Sequence, residues 1–283
     1  MNKGVDLLNQ KKYEESIKYF DKALEIDPEY ALAWCNKGIA LRDLERDEEA
    51  LECFNKSLEL DPTLKEALLY KGATLANIRM EKKASNCFNK VSEIDPNDYT
   101  APFSKGILLN KLGKYKKALK HINKALQLNP NSEIAWFWKG CTLEKLEKLE
   151  KSIKCYDKAL KINPKFVEAW RGKGVTLAKL GRYDEAVECY EKALQINPED
   201  DKAWYNKGAA LQKLGKYKEA LKCYEKVTQL DPEDIEAWYK RGQTLEKLGR
   251  REEAEESYKR ALKAKPDHEE AKKAIKRLET DKK

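Results

Sequence analysis

Apolar residues recur along the chain at helical spacing, in paired stretches separated by short polar turns. Between Asp201 and Leu230, Trp204, Gly208 and Leu211 share one helical face, and Ala220, Tyr224 and Val227 share another. Charged side chains take most of the other positions, and the turn Lys213-Leu214-Gly215-Lys216-Tyr217 divides the two stretches. The pattern predicts two amphipathic helices joined by a tight turn.

The same pair recurs throughout. Eight of the nine prolines, at 28, 62, 96, 130, 164, 198, 232 and 266, are spaced by 34 residues. Proline cannot continue a helix and pushes its predecessor out of the helical region, so each one marks a helix end. Seven of the eight follow Asp or Asn; Pro266 follows Lys265. If this proline is position 32, units start near Ala31, Lys65, Tyr99, Glu133, Val167, Asp201 and Ile235, with a truncated first unit ahead of them.

Position 8 is then glycine in every unit, from Gly4 to Gly242, and position 20 is always Ala or Ser. Position 24 is Phe20, Phe54, Phe88, Ile122, Tyr156, Tyr190, Tyr224 and Tyr258. A glycine inside a helix costs roughly 1 kcal/mol relative to alanine. The expected compensation is a small residue at position 8 facing a small one at position 20, so that two backbones approach closely. Aromatics at positions 4 and 24 would fill the space beside that contact, each contributing roughly 1.5–3 kcal/mol on burial. After Pro266, Ala271, Ala274, Ile275 and Leu278 form a single apolar stripe, as expected of a helix that closes the last unit against water.

This pattern resembles the tetratricopeptide repeat family, whose repeat is 34 residues of helix–turn–helix. The resemblance implies an all-α, right-handed superhelical solenoid of about eight repeats, its first helices lining a concave groove. The expected organisation is one array over residues 1–268, with a capping helix and charged tail over 269–283. Two positions depart from the family pattern. Position 7, usually leucine, is basic throughout, and position 11, often tyrosine, is always leucine. Repeat three has Leu68, and repeat four Pro102, where the family places tryptophan, so a softer junction is expected between Asp95 and Phe103.

Composition narrows the function. With 37% charged and 41% hydrophobic residues, the chain suits a solvated helical array better than a sheet sandwich. It has no run of about 18 apolar residues to span a membrane and no apolar signal core near its start, which makes a cytoplasmic location the expectation. Five of the seven cysteines (Cys53, Cys87, Cys155, Cys189 and Cys223) recur at one phase of the repeat, as reduced fillers of the packing. The two histidines belong to no metal-spaced cluster, and no phosphate loop or dinucleotide fingerprint is present. No catalytic residue, metal or cofactor is expected, and no enzymatic role.

Binding residues are expected on the first helices. Position 13 is Asn9, Asp43 and Asn77 in repeats one to three, then Lys111, Lys145, Lys179, Lys213 and Lys247. By the resemblance, these lysines line the groove and attract an acidic, extended protein segment. Position 5 adds Phe103, Phe137, Arg171, Tyr205 and Tyr239, with Asn110, Trp138 and Asn206 beside this row. With Trp136 taken up in packing, Phe137 or Trp138 is expected to point into the groove as an anchor. No repeat carries the family's carboxylate-clamp set, because position 9 is Val5, Ile39, Ala73, Ile107, Cys141, Val175, Ala209 and Gln243.

The expected function is a non-enzymatic scaffold or adaptor for protein–protein interaction. The alternative is RNA or other nucleic-acid binding through the basic middle, where residues 99–132 hold seven lysines and no acid. By contrast, residues 1–64 hold nine basic side chains against fifteen acidic ones. Self-association through the uncapped N-terminal end is a further expectation.

Overall fold

A computed structural model describes residues 1–280; the last residues of the expected charged tail, 281–283, lie outside the described residues. Among the described residues there are seventeen α-helices and no strand. They are α1 (Asn2–Asn9), α2 (Tyr13–Ile26), α3 (Ala31–Asp43), α4 (Asp47–Leu60), α5 (Lys65–Asn77), α6 (Glu81–Ile94), α7 (Thr100–Lys111) and α8 (Tyr115–Leu128). Then follow α9 (Glu133–Lys145), α10 (Leu149–Ile162), α11 (Val167–Lys179), α12 (Tyr183–Ile196), α13 (Asp201–Lys213), α14 (Tyr217–Leu230), α15 (Ile235–Lys247), α16 (Arg251–Ala264) and α17 (Glu269–Thr280). The chain divides into two compact units, Met1–Trp138 and the residues from Lys139 onward.

Turn chemistry sets the hairpins. Position 15 has positive φ in all eight repeats: glycine at 113, 181, 215 and 249, but Lys11, Glu45, Arg79 and Glu147 in the others. The residue after it donates its N–H to the carbonyl of the position-11 leucine, as Lys216 does to Leu211 at 2.9 Å, closing a Schellman-type turn. At the other turn, the Asp or Asn before each proline accepts an N–H two residues on, as Asp61 does from Thr63 at 2.9 Å. Lys265 has no side-chain acceptor with which to do this.

In both units the glycine at position 8 lies under the side chain at position 24, a ring in every repeat but the fourth, where it is Ile122. A Cβ on Gly174 would stand 2.6 Å from the Tyr190 ring, and one on Gly38 2.7 Å from Phe54. This corrects the expected contact. The 8 and 20 backbones do approach, since Ser152 donates its hydroxyl to the Gly140 carbonyl at 2.8 Å. The glycine is required, however, by the ring one turn beyond. Gly172 is a packing glycine too, because a Cβ there would meet Tyr156 at 2.9 Å.

The position-4 tryptophans do not fill that same space. Each lies back on the preceding proline turn, as Trp34 does in donating Nε1–H to the Pro28 carbonyl at 2.9 Å. Position 7 explains its own basicity. Lys37, Lys173, Lys207 and Arg241 stand 5.5–5.8 Å over the tryptophan rings. The same cations pair with Asp21, Asp157, Glu191 and Glu225 on the preceding second helix, at 2.6–3.6 Å.

In the second unit, α17 packs Ala271, Ala274 and Leu278 against Leu245 and Tyr258. Counted on the repeat, it is the first helix of a ninth unit, with Lys276 where the others carry glycine. All seven cysteines are free, and every one but Cys141 is buried.

Candidate functional site

The first helices present the position-13 lysines at their last turn, where a cation also complements the helix dipole. All five are exposed, but their surroundings differ. In the first unit, Lys111 donates to Asn77 Oδ1 at 3.3 Å, and the two line a small cavity of about 110 Å³ with Phe88 and Ile107. In the second unit, Lys179 is pinned by Glu144 at 2.9 Å. Lys145 is exposed at the end of α9.

Lys213 and Lys247 share a cleft of about 550 Å³ between α13, α14, α15 and α17. Lys240 and Arg277 line it as well, and Glu246 is its one acidic side chain. That carboxylate is already engaged. It accepts from both Arg277 Nη2, at 2.7 Å, and the buried Tyr258 hydroxyl. The cleft therefore presents ammonium groups whose charge is not cancelled locally, together with the amides of Gln212 and Gln243.

The network beneath it rests on position 12. Tyr224 donates to Gln212 Oε1 at 3.0 Å, and Gln212 Nε2 donates to Thr244 Oγ1 at 2.6 Å in the next repeat. Glu144 is the counterpart two repeats earlier, accepting from Tyr156 at 3.3 Å and from Thr176 at 3.2 Å. Burial pushes the pKa values of Tyr156, Tyr224 and Tyr258 well above the ordinary phenol value, so these hydroxyls stay protonated as donors.

Position 5 splits in role. Arg171 pairs at 2.6 Å with Asp200, which is buried and caps α13 by accepting the Ala203 N–H at 3.0 Å. Tyr205 and Asn206 join Arg171 along a second cleft of about 490 Å³, whose acids Asp201, Asp234 and Glu236 balance its cations. Tyr205 packs edge-on to Tyr224, with ring centroids 5.7 Å apart. Tyr239 packs on Tyr258 and on His268.

In the first unit, Phe103 and Trp138 are partly buried against Ile122, Leu126 and Ala135, while Asn110 is half-buried near the end of α7. Phe137 is half-buried and meets Trp138 edge-to-face at 6.0 Å. Trp136 donates to the Pro130 carbonyl at 2.8 Å, which is the packing role expected of it.

The structure thus brings Lys213 and Lys247 together, and separately Arg171, Tyr205 and Asn206. Sequence reasoning missed Lys240 and Arg277. The signal for Arg277 was present: on the repeat count it holds position 9 of a ninth unit, facing Glu246. Among the described residues no helix is long and apolar enough to cross a membrane, and no cluster of three or more His, Cys, Asp or Glu could hold a metal ion.

Stacked helix pairs, each with its position-8 glycine under the position-24 side chain, define a helical-repeat protein. Tetratricopeptide repeat models match residues 1–30, 31–64, 103–132, 134–166 and 201–234, and further models of the same repeat match 155–188, 174–215 and 235–268. The chain belongs to the tetratricopeptide repeat family.

No curated protein sequence matches the chain. Among solved structures it is similar to YrrB, described as a TPR protein with an unusual peptide-binding site. The identity is 27%, the TM-score 0.58, and the match covers 68% of this chain and 99% of that one. It is also similar to a chain of the APC/C hetero-tetramer Cut9–Hcn1 (17% identity, TM-score 0.67, covering 98% of this chain and 54% of that one). Yeast Tom70 is a third such structure, at 19% identity and TM-score 0.64, with 95% and 58% covered. The last two show the fold alone. Proteins built of these repeats generally mediate protein–protein interactions and are typically not enzymes.

Proposed function

We propose that the chain is a non-catalytic interaction scaffold that holds an extended, acidic segment of a partner protein. The observation that carries this reading is the cationic cleft of the second unit, where Lys213, Lys240, Lys247 and Arg277 surround a single, already paired carboxylate. Carboxylates entering it would meet ammonium groups from two successive repeats, and Gln212 and Gln243 could orient backbone groups between them. Tyr205, Asn206 and Arg171 extend the binding surface, and Lys145 and Lys179 supply further cations in the same unit. In the first unit, Lys111, Asn110, Phe103, Phe137 and Trp138 form the corresponding surface. That a similar repeat protein is described as peptide-binding supports the class of ligand. A cytoplasmic location belongs to this proposal, as does the closing role of α17 for one array over residues 1–268.

Affinity capture from lysate tests the reading, with and without nuclease, using wild type and a Lys213→Glu, Lys240→Glu, Lys247→Glu variant. Proteins held after nuclease by wild type and lost by the variant are the expected result. Identical retention by both would overturn it. Retention that disappears wholly with nuclease would favour nucleic acid. The basis for that second reading is the exposed row Lys116, Lys117, Lys120 and Lys124 on α8.

A further inference from the structure

The chain shows repeatedly what belongs between two successive repeats on the side of the proline turn. At five junctions a tryptophan lies there, donating Nε1–H to a proline carbonyl at 2.8–2.9 Å. At four of the five, a cation covers the ring and is paired with a carboxylate of the preceding second helix. Indole, proline turn, cation and acid recur as one set.

At the junction between α4 and α5 that set is half empty. The proline turn is present as Pro62 and the cation as Lys71, but position 4 is Leu68 and the acid's position is held by Asn55. Leucine fills less space than an indole. The corresponding cleft beside Trp204 has about 490 Å³, whereas here it has about 670 Å³ and is lined by Leu51, Leu58, Leu68, Leu75 and Met80 among others. Ile78 adds to this apolar lining, and Met80 at its rim is 43% exposed. Its rim is cationic, with Lys71, Lys83 and Lys90 against the one acid Glu48.

We propose that this cleft is a second binding site, which takes a tryptophan side chain flanked by carboxylates from a partner peptide. The missing parts identify the occupant. The indole would complete the packing on Pro62, Leu58 and Leu68, and the neighbouring carboxylate would supply Lys71 with the acid that its counterparts have in the chain itself. An isolated apolar ligand would leave the lysine rim unused, and an acidic segment without an aromatic would leave the apolar floor wet. The site lies within the first unit and stands independently of the cationic cleft in the second.

The test is methyl-detected NMR of the full chain with the peptide acetyl-Glu-Asp-Trp-Asp-Glu-amide, against the same peptide carrying alanine for tryptophan. Saturable shifts of the Leu58, Leu68 and Met80 methyls are expected, with the tryptophan peptide binding there roughly tenfold tighter than the alanine one, whatever both peptides do at the cationic cleft. Leu68→Trp fills the site from within, and should abolish those shifts while raising the melting temperature. Lys71→Glu, at a partly exposed position that tolerates charge, should weaken binding roughly fivefold to tenfold and serves if the first variant misfolds. Shifts that are equal for both peptides, that appear only around Lys213 and Lys247, that persist in Leu68→Trp, or that are absent up to about 1 mM peptide would overturn the proposal.

Discussion

The Tyr190 ring occupies the space that the Cβ of any other residue at Gly174 would need, 2.6 Å from its Cε1. The contact recurs at Gly140 under Tyr156 and at Gly242 under Tyr258, so the periodic glycine and the periodic ring are two halves of one feature. Alanine at 174 would gain helix propensity worth about 1 kcal/mol but push the ring off its seat. Because Tyr190 is buried on all sides, the ring has little room to yield. Gly174→Ala should cost roughly 1–3 kcal/mol net, and Gly174→Leu should lower the melting midpoint further still. Circular dichroism melts check this, with an unchanged midpoint as the contradicting result.

Glu147 holds the left-handed position of its turn at φ 55°, where four other repeats place glycine. A non-glycine residue there costs roughly 1–2 kcal/mol. Glu147→Gly should therefore raise the unfolding midpoint by the equivalent of about 1 kcal/mol, after allowing for the greater entropy of the unfolded glycine. Gly181→Glu should lower it by a similar amount. Urea unfolding of both variants measures the pair.

Lys65 bridges Asp95 at 2.8 Å and Asp98 at 3.1 Å, tying α5 to the turn before α7. The Lys65 hydrogen bond holds the Asp95 carboxyl below the ordinary carboxylate range. Asp98 is opposed by partial burial, yet bonds from Thr100 and Lys65 hold it low as well. A depressed carboxyl stabilises the fold fully above its unfolded value near pH 4, and that contribution is lost as pH falls through the lower folded value. Amides from Asp95 to Phe103, where Pro102 replaces the tryptophan anchor, should be less protected, relative to their intrinsic exchange rates, than those of α3 and α4, and less protected still below about pH 4. Uniform protection over α3 to α8 at every pH would contradict the soft junction.

Burial pushes the thiols of Cys53, Cys189 and Cys223 up to about 11, and that of Cys35 up to about 12. Few of these groups are thiolates at pH 8, and little of their surface is open to reagent. Iodoacetamide at pH 8 should label the native chain at least about tenfold more slowly than the urea-unfolded chain. Mass spectrometry of the digested protein would show any site that labels early.

The array was legible because its signals are local and periodic. Prolines, glycines and rings each recur at one phase, and α3, α5, α11, α13 and α15 begin at the residues where that count starts a unit. The reason for the glycine was misread, because sequence shows that positions 8 and 20 are both small without showing which atom comes closest. The constant cation at position 7 could not be explained until Trp170, Lys173 and Asp157 were seen together, since the acid lies in the preceding repeat. The site was only partly legible for the same reason. Lys213 and Lys247 share a phase, whereas Arg277 reaches the cleft from a helix whose sequence departs from the repeat.

The cationic cleft can be tested directly by fluorescence anisotropy of a labelled, extended peptide rich in glutamate. Wild type is compared with Lys213→Glu, Lys247→Glu at about 50 mM and about 200 mM salt. The account predicts binding by wild type that weakens severalfold at the higher salt, and at least roughly tenfold weaker binding by the variant. Binding that ignores both the charge reversal and the salt would contradict it.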